Sequence, residues 1–204
     1  VFVHWGEYEE FIDFTGKSIL VTGDPENPAE VILNGNGNGT VVTFSNNEQN
    51  ESILTGFTIT GGTGTRLELN DFTPSGGGIL IINASPVIRN CIIEGNILAE
   101  GGGRRGGGVA IWQNSEPLIR DCVIRDNEAG DGGGISVSLG GVVTLENVEI
   151  LNNSARDGDD SDGGGIYVLG AGNEQAPRIS LSDCRISGNE GVFGSGIYMI
   201  RCSA

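Results

Sequence analysis

Apolar residues recur at every second position in short runs that begin or end at Gly, Asn or Asp, and the runs themselves repeat. One run follows a glycine string: Ile79/Ile81, Val109/Ile111, Ile135/Val137, Ile166/Val168 and Ile197/Met199 stand after GGGI or a close variant beginning at Gly76, Gly106, Gly132, Gly163 and Gly194. A second run is NCIIEGN from Asn90, DCVIRDN from Asp121, NVEILNN from Asn147 and DCRISGN from Asp183, with an earlier form, GFTITGG, from Gly56. Alternation with period two predicts strands that bury one face.

Taking Phe57, Cys91, Cys122, Val148 and Cys184 as equivalent, and more loosely Ile19 before them, the steps run from 26 to 38 residues by subtraction of residue numbers. A constant motif at variable spacing predicts constant rungs with variable loops. Three residues before each of the five firm reference positions stands Leu54, Ile88, Ile119, Leu145 or Leu181, and two after stands Ile59, Ile93, Ile124, Ile150 or Ile186. Gly56, Asn90, Asp121, Asn147 and Asp183 precede the reference position, and Gly62, Asn96, Asn127, Asn153 and Asn189 stand five beyond it. These residue types tolerate the left-handed conformation, so two fixed corners per copy are expected. One copy is too short to bury anything, so the copies must stack. Parallel stacking with like residues over like gives an all-β, right-handed parallel β-helix of about six coils with three short strands each, one domain over residues 1–204. An antiparallel sandwich does not place the same residue types at the same register in every copy.

Composition narrows function more than fold. Glycine supplies 36 of 204 residues, far above the usual share of about 7%, which requires a structural cause. Eleven Lys and Arg against 27 Asp and Glu give a net charge of −16, which argues against nucleic acid and anionic lipid. No apolar run is long enough to span a bilayer, so no membrane insertion is expected. With His4 and Lys17 the only residues of their kinds, mechanisms needing a His pair or a choice of lysine nucleophiles have little material, and His4 reads as a turn or cap residue. The opening at Val1-Phe2-Val3 and the close at Cys202-Ser203-Ala204 both fall inside the pattern, so a fragment of a longer chain is expected. The four cysteines are expected to be free thiols: the Val148 rung separates Cys122 from Cys184, the side chains of Cys91 and Cys122 should run parallel, and Cys202 lies on a different side.

The combination of GGGI with Pro86, Ile88, Asn90, Cys91 and an Asn at the next corner resembles the right-handed β-helix repeat proteins of bacterial surfaces and secretions, over nearly the whole chain. It is also similar to the repeats of polymorphic autotransporter adhesins, and the architecture is that of pectate lyases. The resemblance implies an extracellular or cell-surface protein. In the lyases an Arg or Lys near bound Ca²⁺ removes the proton α to a uronate carboxylate, a role that would fall here to Arg104 or Arg105; as surface charges, the same two arginines offset the acidic field. The residue sets of galacturonan esterases and hydrolases are not recognisable. Fold resemblance alone does not carry function.

The residues facing outward after the glycine strings are Leu80 and Ile82, Ala110 and Trp112, Ser136 and Ser138, Tyr167 and Leu169, and Tyr198 and Ile200. Trp112, Tyr167 and Tyr198 could stack on sugar rings, with Ser136 and Ser138 supplying hydroxyls. Alternatively, the loops Thr63 to Ser75, Ile97 to Arg105 and Ser154 to Asp162 cover the column, or a protein partner does. Alternating oxygens at Asp157, Asp159 and Ser161, with Asp162 next, suit Ca²⁺, although no bidentate Glu follows; a solvated acidic loop is the alternative. The expected function is a non-catalytic extracellular solenoid module, structural or adhesive, binding glycan or a protein partner and able to stack end to end with the rest of its own solenoid or with other copies. The competing expectation is a fragment of a Ca²⁺-dependent polysaccharide lyase or hydrolase.

Overall fold

The computed structural model describes residues 1–66, 74–98, 105–156, 161–170 and 176–202. Apart from a one-turn 3₁₀ segment at Pro28–Glu30, the regular elements among them are strands. Seven form one wholly parallel sheet, in the order Ile12–Asp13, Val42–Phe44, Ile79–Ile82, Val109–Trp112, Ile135–Ser138, Ile166–Leu169 and Ile197–Ile200. The other two sides of the coil join into an eleven-stranded sheet, because Leu118–Arg125 and Val142–Leu151 each run through a corner without a break.

Register confirms the repeat alignment. Ile88 pairs with Leu54 and Ile119, Ile93 with Ile59 and Ile124, and Cys122 with Val148. The expected stacking at Gly56, Asn90, Asp121, Asn147 and Asp183 is present, and all five have φ between 51° and 80°. Two expectations need correction. The first coil aligns through Val31, not Ile19: Ile32 pairs with Thr58, which places Val31 beside Phe57, and the excursion at residues 24–30 displaces the count. At the second corner the left-handed residue is one earlier, at Gly61, Gly95, Asp126, Asn152 and Gly188.

The asparagines at that corner have a different task. Asn96, Asn127 and Asn153 are buried, and their amides form a ladder up the stack. The Oδ1 of Asn127 and of Asn153 accepts from the backbone N–H and the side-chain amide of the Asn one coil before, while that of Asn96 accepts from the Gly62 N–H: Asn96 donates to Asn127 at 3.1 and 2.9 Å, and Asn127 to Asn153 at 3.1 and 3.0 Å. Each Nδ2 also donates to a strand carbonyl, as Asn127 does to Ile93 at 2.9 Å. Buried corner groups are thereby satisfied from within the repeat.

The glycine excess has its cause in the opposite corner. Gly106 has a φ of +72°, and the two glycines after it lie directly against the next coil. A Cβ on Gly107 would stand 2.5 Å from the Gly133 carbonyl oxygen, and one on Gly108 would stand 2.7 Å from that of Gly134. Inside, Ile79, Ile81, Val109, Ile111, Ile135, Val137, Ile166 and Val168 stack fully buried. Each such side chain contributes about 1.5–3 kcal/mol. The cysteines are free, as expected: Cys91 and Cys122 lie in adjacent coils of this core, and burial pushes the Cys122 thiol up, an effect the neighbouring Cys91 sulfur reinforces.

Candidate functional site

The seven-stranded sheet is packed on both faces. Of its outward residues, Leu80, Ile82, Ala110, Trp112, Ser136, Ser138 and Tyr167 are buried, and Leu80, Ile82, Ala110 and Trp112 form a second apolar cluster with Leu139 against it. Of the two dispositions open to this column, exposed platform or covered face, the chain adopts the covered one. Trp112 is 7% exposed, so its ring is not offered to solvent. Trp112 and Tyr167 also fall in neighbouring columns: Ile82 pairs with Trp112, whereas Ser136 pairs with Tyr167. Leu169, Tyr198 and Ile200, half-buried, remain partly open; the Tyr198 ring stacks on Tyr167 at 6.0 Å between centroids and 12° between planes.

This face is polar where a purely structural packing would not be. Trp112 Nε1, Ser136 Oγ and Ser138 Oγ are buried and have no hydrogen-bond partner among the described residues. Leaving such groups unpaired costs about 1–3 kcal/mol each, so they point to water or a hydroxyl-bearing ligand above the sheet.

At one end of the same face lies a charged corner that the repeat pattern did not reveal. The residue before each glycine string stacks in a column, with Ser75 bridged to Arg105, Arg105 to Asp131, and Asp162 to Phe193. Arg105 Nε lies 3.6 Å from Asp131 Oδ2, the Asp162 backbone N–H donates to Asp131 Oδ1 at 3.3 Å, and the Arg105 guanidinium stands 6.0 Å from the Tyr167 ring centroid. Burial pushes the Asp131 carboxyl up from the usual range, against the opposing pull of Arg105. Burial, with the Asp131 charge beside it, pushes the Tyr167 phenol up to about 12. An arginine, a carboxyl that holds its proton more tightly than usual and a phenol are thus brought together.

Of the expected metal ligands, Asp157 and Asp159 lie outside the described residues, as does Arg104. Ser161 is buried, and Asp162 belongs to the charged corner. Among the described residues, no group of three or more His, Cys, Asp or Glu side chains is placed to hold a metal ion. No helix among them is long and apolar enough to cross a membrane.

No curated protein and no solved structure matches the chain. The family described as right handed beta helix region matches residues 29–204. With parallel register, coil-by-coil stacking and a match over most of its length, the chain belongs to the right-handed β-helix family.

Proposed function

We propose that the chain is a non-catalytic β-solenoid module of an extracellular or cell-surface protein, a rigid structural or adhesive element that binds a neutral, hydroxyl-rich ligand such as a glycan. The observation that carries this reading is the outer face of the Val109–Trp112 and Ile135–Ser138 strands, where a buried indole N–H and two buried hydroxyls have no hydrogen-bond partner among the described residues, a need that a hydroxyl-rich ligand would meet in place of the present cover. Tyr167 and Tyr198 complete its aromatic border. An acidic polysaccharide would be repelled by a protein of charge −16 unless Ca²⁺ bridged the two, and the segment Asp157 to Asp162 supplies oxygen ligands for such an ion. Parallel edges at both ends of the solenoid suit end-to-end stacking with further coils or other copies.

The test is a panel of neutral and acidic polysaccharides scored for retention and for product. Ser136→Ala with Ser138→Ala removes groups that have no hydrogen-bond partner among the described residues, so the double variant should fold normally and lose retention. Retention unchanged in it would overturn the glycan reading. A second reading, a polysaccharide-cleaving fragment, is favoured by the Arg105, Asp131 and Tyr167 corner. Release of shortened or unsaturated sugars, abolished in Asp131→Asn, would establish that reading instead.

A further inference from the structure

A second surface lies on the side of the coil that follows the Pro86 corner, on the strands Val87–Arg89 and Leu118–Arg125. Both strands are interior to their sheet, with Ile53–Thr55 paired on one side of them and Val142–Leu151 on the other. Ile88 and Ile119 point into the core and are fully buried, so Val87 and Arg89, and Leu118 and Arg120, point outward. Register places Arg89 directly beside Arg120, with Thr55 one coil before and Glu146 one coil after. At the spacing of paired strands the two arginine backbones stand ~4.8 Å apart.

Like charges directly opposite one another across a strand pair are destabilising, and a chain with 27 Asp and Glu against eleven Lys and Arg has ample means to neutralise them. It does so elsewhere. Arg105, Arg125, Arg156 and Arg185 each reach an acid, respectively Asp131, Glu94, Glu128 and Glu149. Arg89 and Arg120 reach none among the described residues. Glu146 is exposed and makes no ion pair with Arg120, and the Asp121 carboxylate at the adjacent corner accepts from Asn147 Nδ2 at 2.9 Å instead. The Nε atoms of both arginines are buried without a hydrogen-bond partner, as is Thr55 Oγ1 in the coil before. Three unpaired polar atoms therefore lie in one column, two of them on cations.

Chemistry selects the occupant. Two planar cations one rung apart match an oxyanion that can accept from both, whereas a neutral ligand leaves both charges unpaired. A polyanion meets the field of the −16 chain at every charge it carries. A single carboxylate meets that field once, and apolar groups beside it can cover Val87 and Leu118, which are half-buried. We propose that this arginine pair docks an Asp or Glu side chain of a partner polypeptide, its carboxylate bridging the two guanidiniums and its apolar neighbours lying on Val87 and Leu118.

The test uses the 204-residue chain and the peptide acetyl-Val-Glu-Leu-amide, with acetyl-Val-Gln-Leu-amide as the uncharged isostere. Nitrogen-15 spectra follow the Nε–H resonances of Arg89 and Arg120, and calorimetry follows the affinity in the variants. The glutamate peptide should shift both resonances saturably and the glutamine peptide neither; no shift with the glutamate peptide would overturn the proposal. Arg89→Gln and Arg120→Gln should each weaken binding about tenfold, as the loss of a charge-assisted hydrogen bond does. Arg120→Lys keeps the charge and a long stem, so the coil should fold as before, yet it lacks the planar fork and should weaken binding several-fold. Equal affinity in Arg120→Lys would reduce the effect to diffuse charge and count against the pair. Arginine-dependent binding of polygalacturonate without the peptide, or self-association of the chain abolished by Arg89→Gln, would also overturn the proposal, assigning the pair to an acidic glycan or to a second copy.

Discussion

Replacing Asn127 by Ala tests whether the corner ladder carries stability or only decorates the stack. The side chain makes four hydrogen bonds: it accepts from the backbone N–H and the amide of Asn96, and donates to the Ile93 carbonyl and to Asn153 Oδ1. Asn127 is 1% exposed and Asn96 fully buried, so water cannot replace the lost partners. At a net of about 1 kcal/mol per bond, with an added penalty for the stranded Asn96 donors, the cost is about 3–5 kcal/mol. For a domain of this size that corresponds to a fall of about 6–20 °C in Tm. Asn189 is the internal control. It accepts from Asn153 in the same way and donates to the Ile150 carbonyl, but it is only half-buried. Asn189→Ala should therefore cost clearly less. Urea unfolding followed by circular dichroism, with hydrogen exchange at the Asn96 N–H, measures both. A loss below about 1 kcal/mol in Asn127→Ala, or equal losses in the two variants, would refute the argument that the ladder is a buried, mutually satisfied network.

Gly107→Ala should destabilise strongly or prevent folding, because its Cβ would meet the Gly133 carbonyl oxygen at 2.5 Å, whereas Gly37→Ala, at φ +74° with open space around it, should cost only about 1 kcal/mol; thermal melts separate the two. The Tyr167 phenol is held up to about 12, above its ordinary 10, so between those values the unfolded chain ionises this group first and stability falls as pH rises; below pH 10 it makes no difference. Ultraviolet titration should show one tyrosine ionising late, and Tyr167→Phe should abolish both that step and the extra alkaline loss. Cys91 and Cys122, buried with the Cys122 thiol pushed up, should resist alkylation in the native chain and react on unfolding, with all four thiols counted under non-reducing denaturation.

How far the sequence could be read depended on whether a feature repeats. Asn90, Asp121, Asn147 and Asp183 were recognisable as left-handed corners because residue preference and repetition agreed, and all four have positive φ. Asn96, Asn127 and Asn153 were found at the right place but with the wrong role: preference for the left-handed region says nothing about an amide stacking on its own copy one coil away. The neighbours Gly95, Asp126 and Asn152, which carry the positive φ, held the missing signal. Alternation correctly put Leu80, Trp112 and Tyr167 on the outward face, but it cannot say what lies over that face. Arg105, Asp131 and Asp162 share one position, just before the glycines, yet differ chemically, so no repeat signal marked them. Such a corner emerges only when the coils are stacked.

The same stacking determines how far a change in one coil is felt in another. In a solenoid each coil touches only its neighbours, so coupling between the first coil and the Ser136 face must pass through the intervening rungs. Those rungs are rigid where both neighbours are present: Ile135 and Val137 are fully buried, whereas Met199 in the outermost strand is 49% exposed and Leu181 40%. Hydrogen-exchange protection should therefore be highest around Ile111 and Val137. Trp5→Leu, at an exposed position of the first coil, and Ser136→Ala should add in stability within about 0.3–0.5 kcal/mol, since several rungs separate them. A larger coupling would mean that the coils shift as one body when either surface is altered. The additive result would mean that the outer face around Ser136 can be altered without disturbing coils several rungs away.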